Sequence, residues 1–218
     1  MYIYMFLGFQ GCHPFQSEKV PEDSSTVSTE DTALESDTQV DEPWVTPDCP
    51  DSMRVIFTEH AEYFPASGSE GYSFPTDEVL TYMLGSFDAA SSGQYAAAHD
   101  FARSAEYTFC QGIGTDAGTL LWYPSELGTG RALIAMIASP NGKMILEAPH
   151  PKYDRITMTQ TMDFFDSLPA QAMIISGTHR CAASELSGCS GTTSSCGDSQ
   201  GYTISDPAHN TRSVFHLA

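Results

Sequence analysis

Two histidines follow apolar runs within three residues of their ends. His150 comes after the run Lys143 to Ala148, within Glu147-Ala148-Pro149-His150-Pro151. His179 comes after the run Ala172 to Ser176, within Gly177-Thr178-His179-Arg180. If both runs are strands lying parallel and adjacent, their carboxyl ends meet at one sheet edge, with backbones about 5 Å apart. Asp154, four residues past His150, adds a carboxylate. Two neutral imidazoles and a carboxylate suit zinc, with one position left for water. A zinc held this way lowers the pKa of its water to about 7 and polarises a carbonyl. His150, Asp154 and His179 are therefore candidate metal ligands. Arg180 beside them has the planar fork that grips a substrate carboxylate. Asp206 and His209, in Ser205-Asp206-Pro207-Ala208-His209, are candidates for acid–base work. Asp206 ahead of Pro207 also reads as a helix cap. His216, seven residues past His209, would share its helical face. A single histidine after a strand is ordinary loop chemistry, and the joint placement of His150 and His179 is what singles them out. His13, His60 and His99 receive no role.

The elements that must position these groups can be read from the pattern. Thr157-Met158-Thr159-Gln160 fits a capping box, with Thr157 as cap, and predicts a helix to about Leu168. Pro169 breaks it, and Ala172 to Ser176 follows as a buried strand. Strand, loop, helix, strand is a βαβ unit with parallel strands and a right-handed crossover. Upstream, Met53 to Phe57 predicts a first strand. Pro75-Thr76-Asp77-Glu78 predicts a helix start carrying Val79, Leu80, Tyr82, Met83 and Phe87 on one stripe. Residues 94–110 predict a second helix, and the Gly/Thr-rich stretch 111–130 a loop. Arg131 to Ser139, Pro140-Asn141-Gly142 and Lys143 to Ala148 together predict a hairpin. The fold class expected is α/β, a mixed, mostly parallel sheet with flanking helices over residues 53–218.

The chain has 218 residues, 41% apolar, enough for a sizeable core, and a formal net charge of −19 from 9 basic and 28 acidic side chains. The acid is concentrated at the head, with 11 acidic and one basic residue in 12–52. Phosphate backbones would be repelled, and no basic stripe attracts them, so nucleic acid is set aside as a partner. Six cysteines occur without a CxxC pair, and Cys181, Cys189 and Cys196 fall in one polar loop. That pattern predicts disulfides in an oxidising compartment. At least one bridge is expected within those three, with the remaining cysteine free or joined to Cys110 or Cys49. Cys49 is also placed to staple the head to the body.

The head divides in two. Residues 1–11, MYIYMFLGFQG, are apolar and end at Gly11-Cys12. Residues 12–52 form an acidic, aperiodic linker whose composition cannot repay the entropy of ordering. The apolar run closing on a small residue and a cysteine resembles a bacterial lipoprotein signal. That resemblance implies cleavage before Cys12, acylation of its thiol, export to the cell envelope and contact with a membrane through the lipid anchor alone. The run is short and lacks the positively charged start of most signals.

A second resemblance concerns the site. Glu147-Ala148-Pro149-His150 through Asp154, a helix and the strand ending at His179 are similar to part of the zinc-dependent amidohydrolases that include poly-γ-glutamate hydrolases and N-formylglutamate amidohydrolases. It implies a phosphorylase/hydrolase-like fold, a Pro-His opening the metal site at His150, and hydrolysis of an amide. Asp154 takes the family's acidic position only with Asp for Glu and a spacing one shorter. No late Glu offers itself as general base, which leaves room for a C-terminal piece beyond Ala218. The leading expectation is a surface-tethered zinc hydrolase acting on a small peptide or cell-wall-like substrate. The alternatives are a non-catalytic lipoprotein that binds a ligand or metal, and a metal-free hydrolase using His and Asp. No Gly-x-Ser-x-Gly elbow supports a serine esterase.

Overall fold

The computed structural model describes residues 44–140, 142–154 and 156–218. The apolar segment 1–11, Cys12 and most of the linker lie outside the described residues. No described helix is long and apolar enough to cross a membrane.

The chain enters through α1 (Met53–Glu62), α2 (Asp77–Ser91) and α3 (Tyr95–Ser104) before its first strand, β1 (Tyr107–Gln111). Then come β2 (Thr119–Pro124), β3 (Leu133–Ile137), β4 (Met144–Ala148), α4 (Thr157–Ser167) and β5 (Ala170–Ile175). The strands form one sheet in the order β1-β2-β3-β5-β4. Alternation along β2 shows the layering. Leu120 and Trp122 join the core under α2 and α3. Leu121 and Tyr123 join the core under α1 and α4. A strand buried on both faces supplies alternate side chains to two cores, and every residue of β2 is buried. The result is a mixed sheet between two helical layers.

The βαβ unit formed as expected. β4 pairs parallel with β5, Ala148 opposite Ile175, with α4 between them in sequence. The sheet as a whole is not mostly parallel, because β1–β2, β2–β3 and β3–β5 are all antiparallel. The loops joining β1, β2 and β3 are too short for crossovers, so those strands must reverse.

Four further expectations are corrected. Met53 to Phe57 is helical. Met53, Ile56, Phe57 and His60 are its buried residues, a 3.6-residue spacing hidden inside an apolar run, and the Ser52 side chain accepts the Val55 N–H as cap. The second helix stops at Ser104, and Tyr107 to Gln111, rich in strand formers, is β1. The stretch 111–130 contains β2, whose Leu-Leu-Trp-Tyr run was masked by the glycines around it. The hairpin between β3 and β4 does not form, since β5 lies between them. Gly142 serves close approach instead: a Cβ there would collide with the Pro169 carbonyl at the start of β5. The helix start at Thr76 holds, with Thr76 Oγ1 accepting the Val79 N–H at 3.2 Å.

Cys49 is joined to Cys110, which staples the entering chain to β1. Cys181 is joined to Cys196, the local bridge expected of the polar loop. Because Cys49 and Cys110 take each other, neither is the partner of that loop's third cysteine, Cys189. Cys189 is itself disulfide-bonded rather than free.

Candidate functional site

β4 and β5 end side by side. The Ser176 amide donates to the Ala148 carbonyl at 3.0 Å, which closes the parallel pair at its carboxyl edge. Each chain then turns sharply. The Tyr153 and Asp154 amides both donate to the His150 carbonyl, curling the first loop on itself. After β5, Gly177 lies so close to Arg131 that a Cβ would strike its carbonyl. The His179 amide donates to the Pro65 carbonyl at 3.0 Å. The shared edge expected for His150 and His179 is therefore present.

The centre of the site is Asp206. Its side chain is 2% exposed, and its two oxygens divide their partners. Oδ1 accepts from His150 Nε2 at 2.9 Å, while Oδ2 accepts from Arg180 Nη2 at 2.8 Å and Nε at 3.3 Å. Burial works to raise the carboxyl pKa, but the hydrogen bonds and charges of His150 and Arg180 outweigh it and hold Asp206 below the usual carboxylate range. An ionised Asp206 accepts the hydrogen of His150 Nε2 and so fixes the orientation of the ring. Nδ1 faces Asp154 Oδ2 at 3.6 Å.

The expected roles of two residues change. Arg180 spends its fork on Asp206 rather than on a substrate carboxylate, and its guanidinium carbon also lies 5.3 Å from the Tyr153 ring centre. Asp206 precedes Pro207 at the start of a short turn, Pro207–His209, yet its side chain makes no capping bond. His209 and His216 do not share a helical face, because they sit in separate turns, Pro207–His209 and Val214–His216. His209 stacks on Tyr202 with ring centres 3.5 Å apart. His216 donates from Nε2 to the Pro207 carbonyl at 2.7 Å.

His179 has the opposite polarity to His150. Its Nδ1 accepts the Cys181 amide hydrogen at 3.0 Å, so the neutral ring carries its proton on Nε2. Burial first, then the charges of Arg180, His150 and Lys152, lowers its pKa and keeps the ring neutral. Tyr153 packs edge-on against it at 5.3 Å. Burial lowers the pKa of His209 as well, against the pull of Asp206. One edge thus holds an oriented imidazole, His150, and a neutral donor, His179.

The same polarity bears on zinc. A metal-bound histidine gives its second N–H to an acceptor. His150 meets that rule, with Nε2–H on Asp206 and Nδ1 facing Asp154. His179 does not, because its Nδ1 receives a hydrogen bond and its Nε2 holds the proton. Among the described residues no three His, Cys, Asp or Glu side chains stand where they could share an ion. As placed, His150, Asp154 and His179 do not form such a group.

The sequence reading missed what braces the site. The Arg180 carbonyl accepts from Thr203 Oγ1 at 2.8 Å and Ser205 Oγ at 3.0 Å, and Ser205 Oγ also accepts the Ala183 amide hydrogen at 3.0 Å. The alternation Thr203, Ser205 beside Asp206 was the available signal. Tyr153 and Tyr202 were also passed over, though both lie within four residues of a candidate acid. No protein-family model matches the chain, no curated protein matches its sequence, and no solved structure matches its fold.

Proposed function

We propose that this protein is an exported hydrolase in which His150 is the general base and His179 the neutral hydrogen-bond donor. The observation that carries the reading is the 2.9 Å bond from His150 Nε2 to a buried, ionised Asp206 that Arg180 holds in place. A base oriented by a carboxylate through its far nitrogen has its near nitrogen free to take a proton from water. In this reading His150 Nδ1 removes that proton as the water oxygen bonds to the amide carbon, Asp154 and Asp206 stabilise the imidazolium that results, and the imidazolium returns the proton to the nitrogen as the C–N bond breaks and the amine leaves. His179 Nε2–H donates to the oxygen on which negative charge grows, and neutrality suits it to that task because it has a proton to offer without a competing charge. The substrate class is an amide in a small peptide or cell-wall-like material. The Pro149-His150 resemblance to amidohydrolases and the helix–sheet–helix layering support that choice. The disulfides support an oxidising location.

Turnover of a panel of peptide and cell-wall-derived amides, followed by free amine release, tests the reading. His150→Gln should lower kcat by roughly 10²–10⁴-fold, the usual worth of a general base. Undiminished turnover in His150→Gln would sink it. Metal analysis of the active protein decides separately whether zinc takes part. Membrane fractionation of the wild type, beside non-reducing peptide mapping of Cys12 and Cys189, decides whether Cys12 carries a lipid anchor or a disulfide.

A further inference from the structure

The two ends of the sheet are treated differently. At one end, the chain just ahead of α1 covers β1. The Cys49 amide donates to the Gln111 carbonyl and the Gln111 amide to the Pro47 carbonyl, both at 2.8 Å, beside the Cys49–Cys110 disulfide. At the other end, no described segment pairs with the outer side of β4. Its side chains are apolar for an edge with no described partner, with Met144 41% and Ile145 49% exposed. An uncovered strand of this kind is a template for another strand.

The charge pattern says which strand. Between 143 and 148 the charged residues are Lys143 and Glu147, placed symmetrically about Ile145. In an antiparallel pair centred on Ile145, Lys143 of each strand stands opposite Glu147 of the other, and Ile145 stands opposite itself. Ile145 and Glu147 share one face of β4, past the register shift between Met144 and Ile145, and the two-fold pairing would carry that face one residue beyond the strand to Lys143. A two-fold contact requires a patch complementary to itself, and this pattern is one. The chain has only 9 basic residues against 28 acidic ones, so two copies repel over most of their surfaces. A lysine flanking the uncovered edge, opposite a glutamate in the two-fold register, offsets that repulsion locally.

We propose that the β4 edge is where a second copy of this chain docks, antiparallel and centred on Ile145. The two sheets then continue into one another across the two-fold axis. The inference is independent of the hydrolase reading, since its readout is mass and not turnover.

Sedimentation equilibrium of the purified full chain tests it, with Lys143→Glu, Glu147→Lys and the double variant alongside. The wild type should dimerise. Each single variant faces like charge across the axis and should dimerise at least roughly tenfold more weakly. The double variant restores opposite charges and should recover wild-type affinity. An equimolar mixture of the two single variants should form mixed dimers. A wild type that stays monomeric at concentrations on the order of 100 μM overturns the proposal. So does a dimer indifferent to both single variants. A monomer that dimerises only when residues 1–43 are removed would assign the edge to the chain's own head, and would equally overturn it.

Discussion

Removing the Asp206 carboxylate has two effects that can be measured apart. Asp206→Ala leaves the Arg180 guanidinium, 14% exposed, without its counter-charge. Breaking a buried pair from one side costs about 3–5 kcal/mol, and the urea midpoint should fall accordingly. Asp206→Asn keeps the shape and one acceptor but no longer fixes the hydrogen of His150 on Nε2. It should lower kcat more than it lowers stability, and should move the pH–rate profile as a merely structural change would not. Equal losses in both variants would make Asp206 a structural acid only. The His150–His179 pairing was legible because both residues follow apolar runs joined by one short helical segment. The Arg180–Asp206 pair was not. The two are 26 residues apart, across a loop whose path is set by the Cys181–Cys196 bridge and by the Thr203 and Ser205 hydroxyls rather than by any periodicity.

Among the elements, β4, α4 and β5 were readable because each has one dominant period and a clear break at Pro169. The start of α4 was not. Thr157 was expected to cap the helix from outside, but it is the first helical residue, and its hydroxyl donates to the Asp154 carbonyl at 2.9 Å. The preceding position is Ile156, at φ 67°, which is left-handed backbone and unfavourable for a β-branched side chain. Ile156 is 65% exposed, so little burial compensates. Ile156→Gly should therefore raise stability by about 1 kcal/mol. An unchanged or lower urea midpoint would show that the Ile156 side chain has a packing role outside this account. The strain sits two residues past Asp154, in the loop that shapes the candidate site, which is where folds tend to keep it. The failed hairpin teaches a related point. Pro140-Asn141-Gly142 has the composition of a tight turn, but β5 is more thoroughly buried than β4 and so takes the place beside β3.

For the molecule as a whole, pH is the most direct probe. Burial lowers the pKa of His60, His179 and His209 in the folded chain. Below the unfolded value of about 6.5 the unfolded chain takes up protons that the folded chain resists, so stability falls with pH. Asp206 has a depressed pKa, and its contribution is lost only as pH drops below about 3.9 and through its folded value. Between pH 7.5 and 5.5 most carboxylates stay ionised, so the histidines set the slope. The urea midpoint should be lower at pH 5.5, and an equal or higher midpoint would show that these rings protonate freely in the folded state. Composition made the charge and the disulfides readable, but not the sheet order, which depends on contacts between segments far apart in the chain.

The Cys49–Cys110 bridge also governs how the protein answers a proteolytic nick. It closes a ring of covalent chain around α1, α2 and α3, with β1 at its far end. A protease that nicks the backbone anywhere inside that ring leaves both pieces attached through sulfur. The bridge gives no such protection to a cut on the head side of Cys49 or past Cys110, which lies outside the ring. Nicks between α1 and α3 therefore leave the three helices covalently joined to β1 until the disulfide is reduced, and gels run with and without reductant would read them differently.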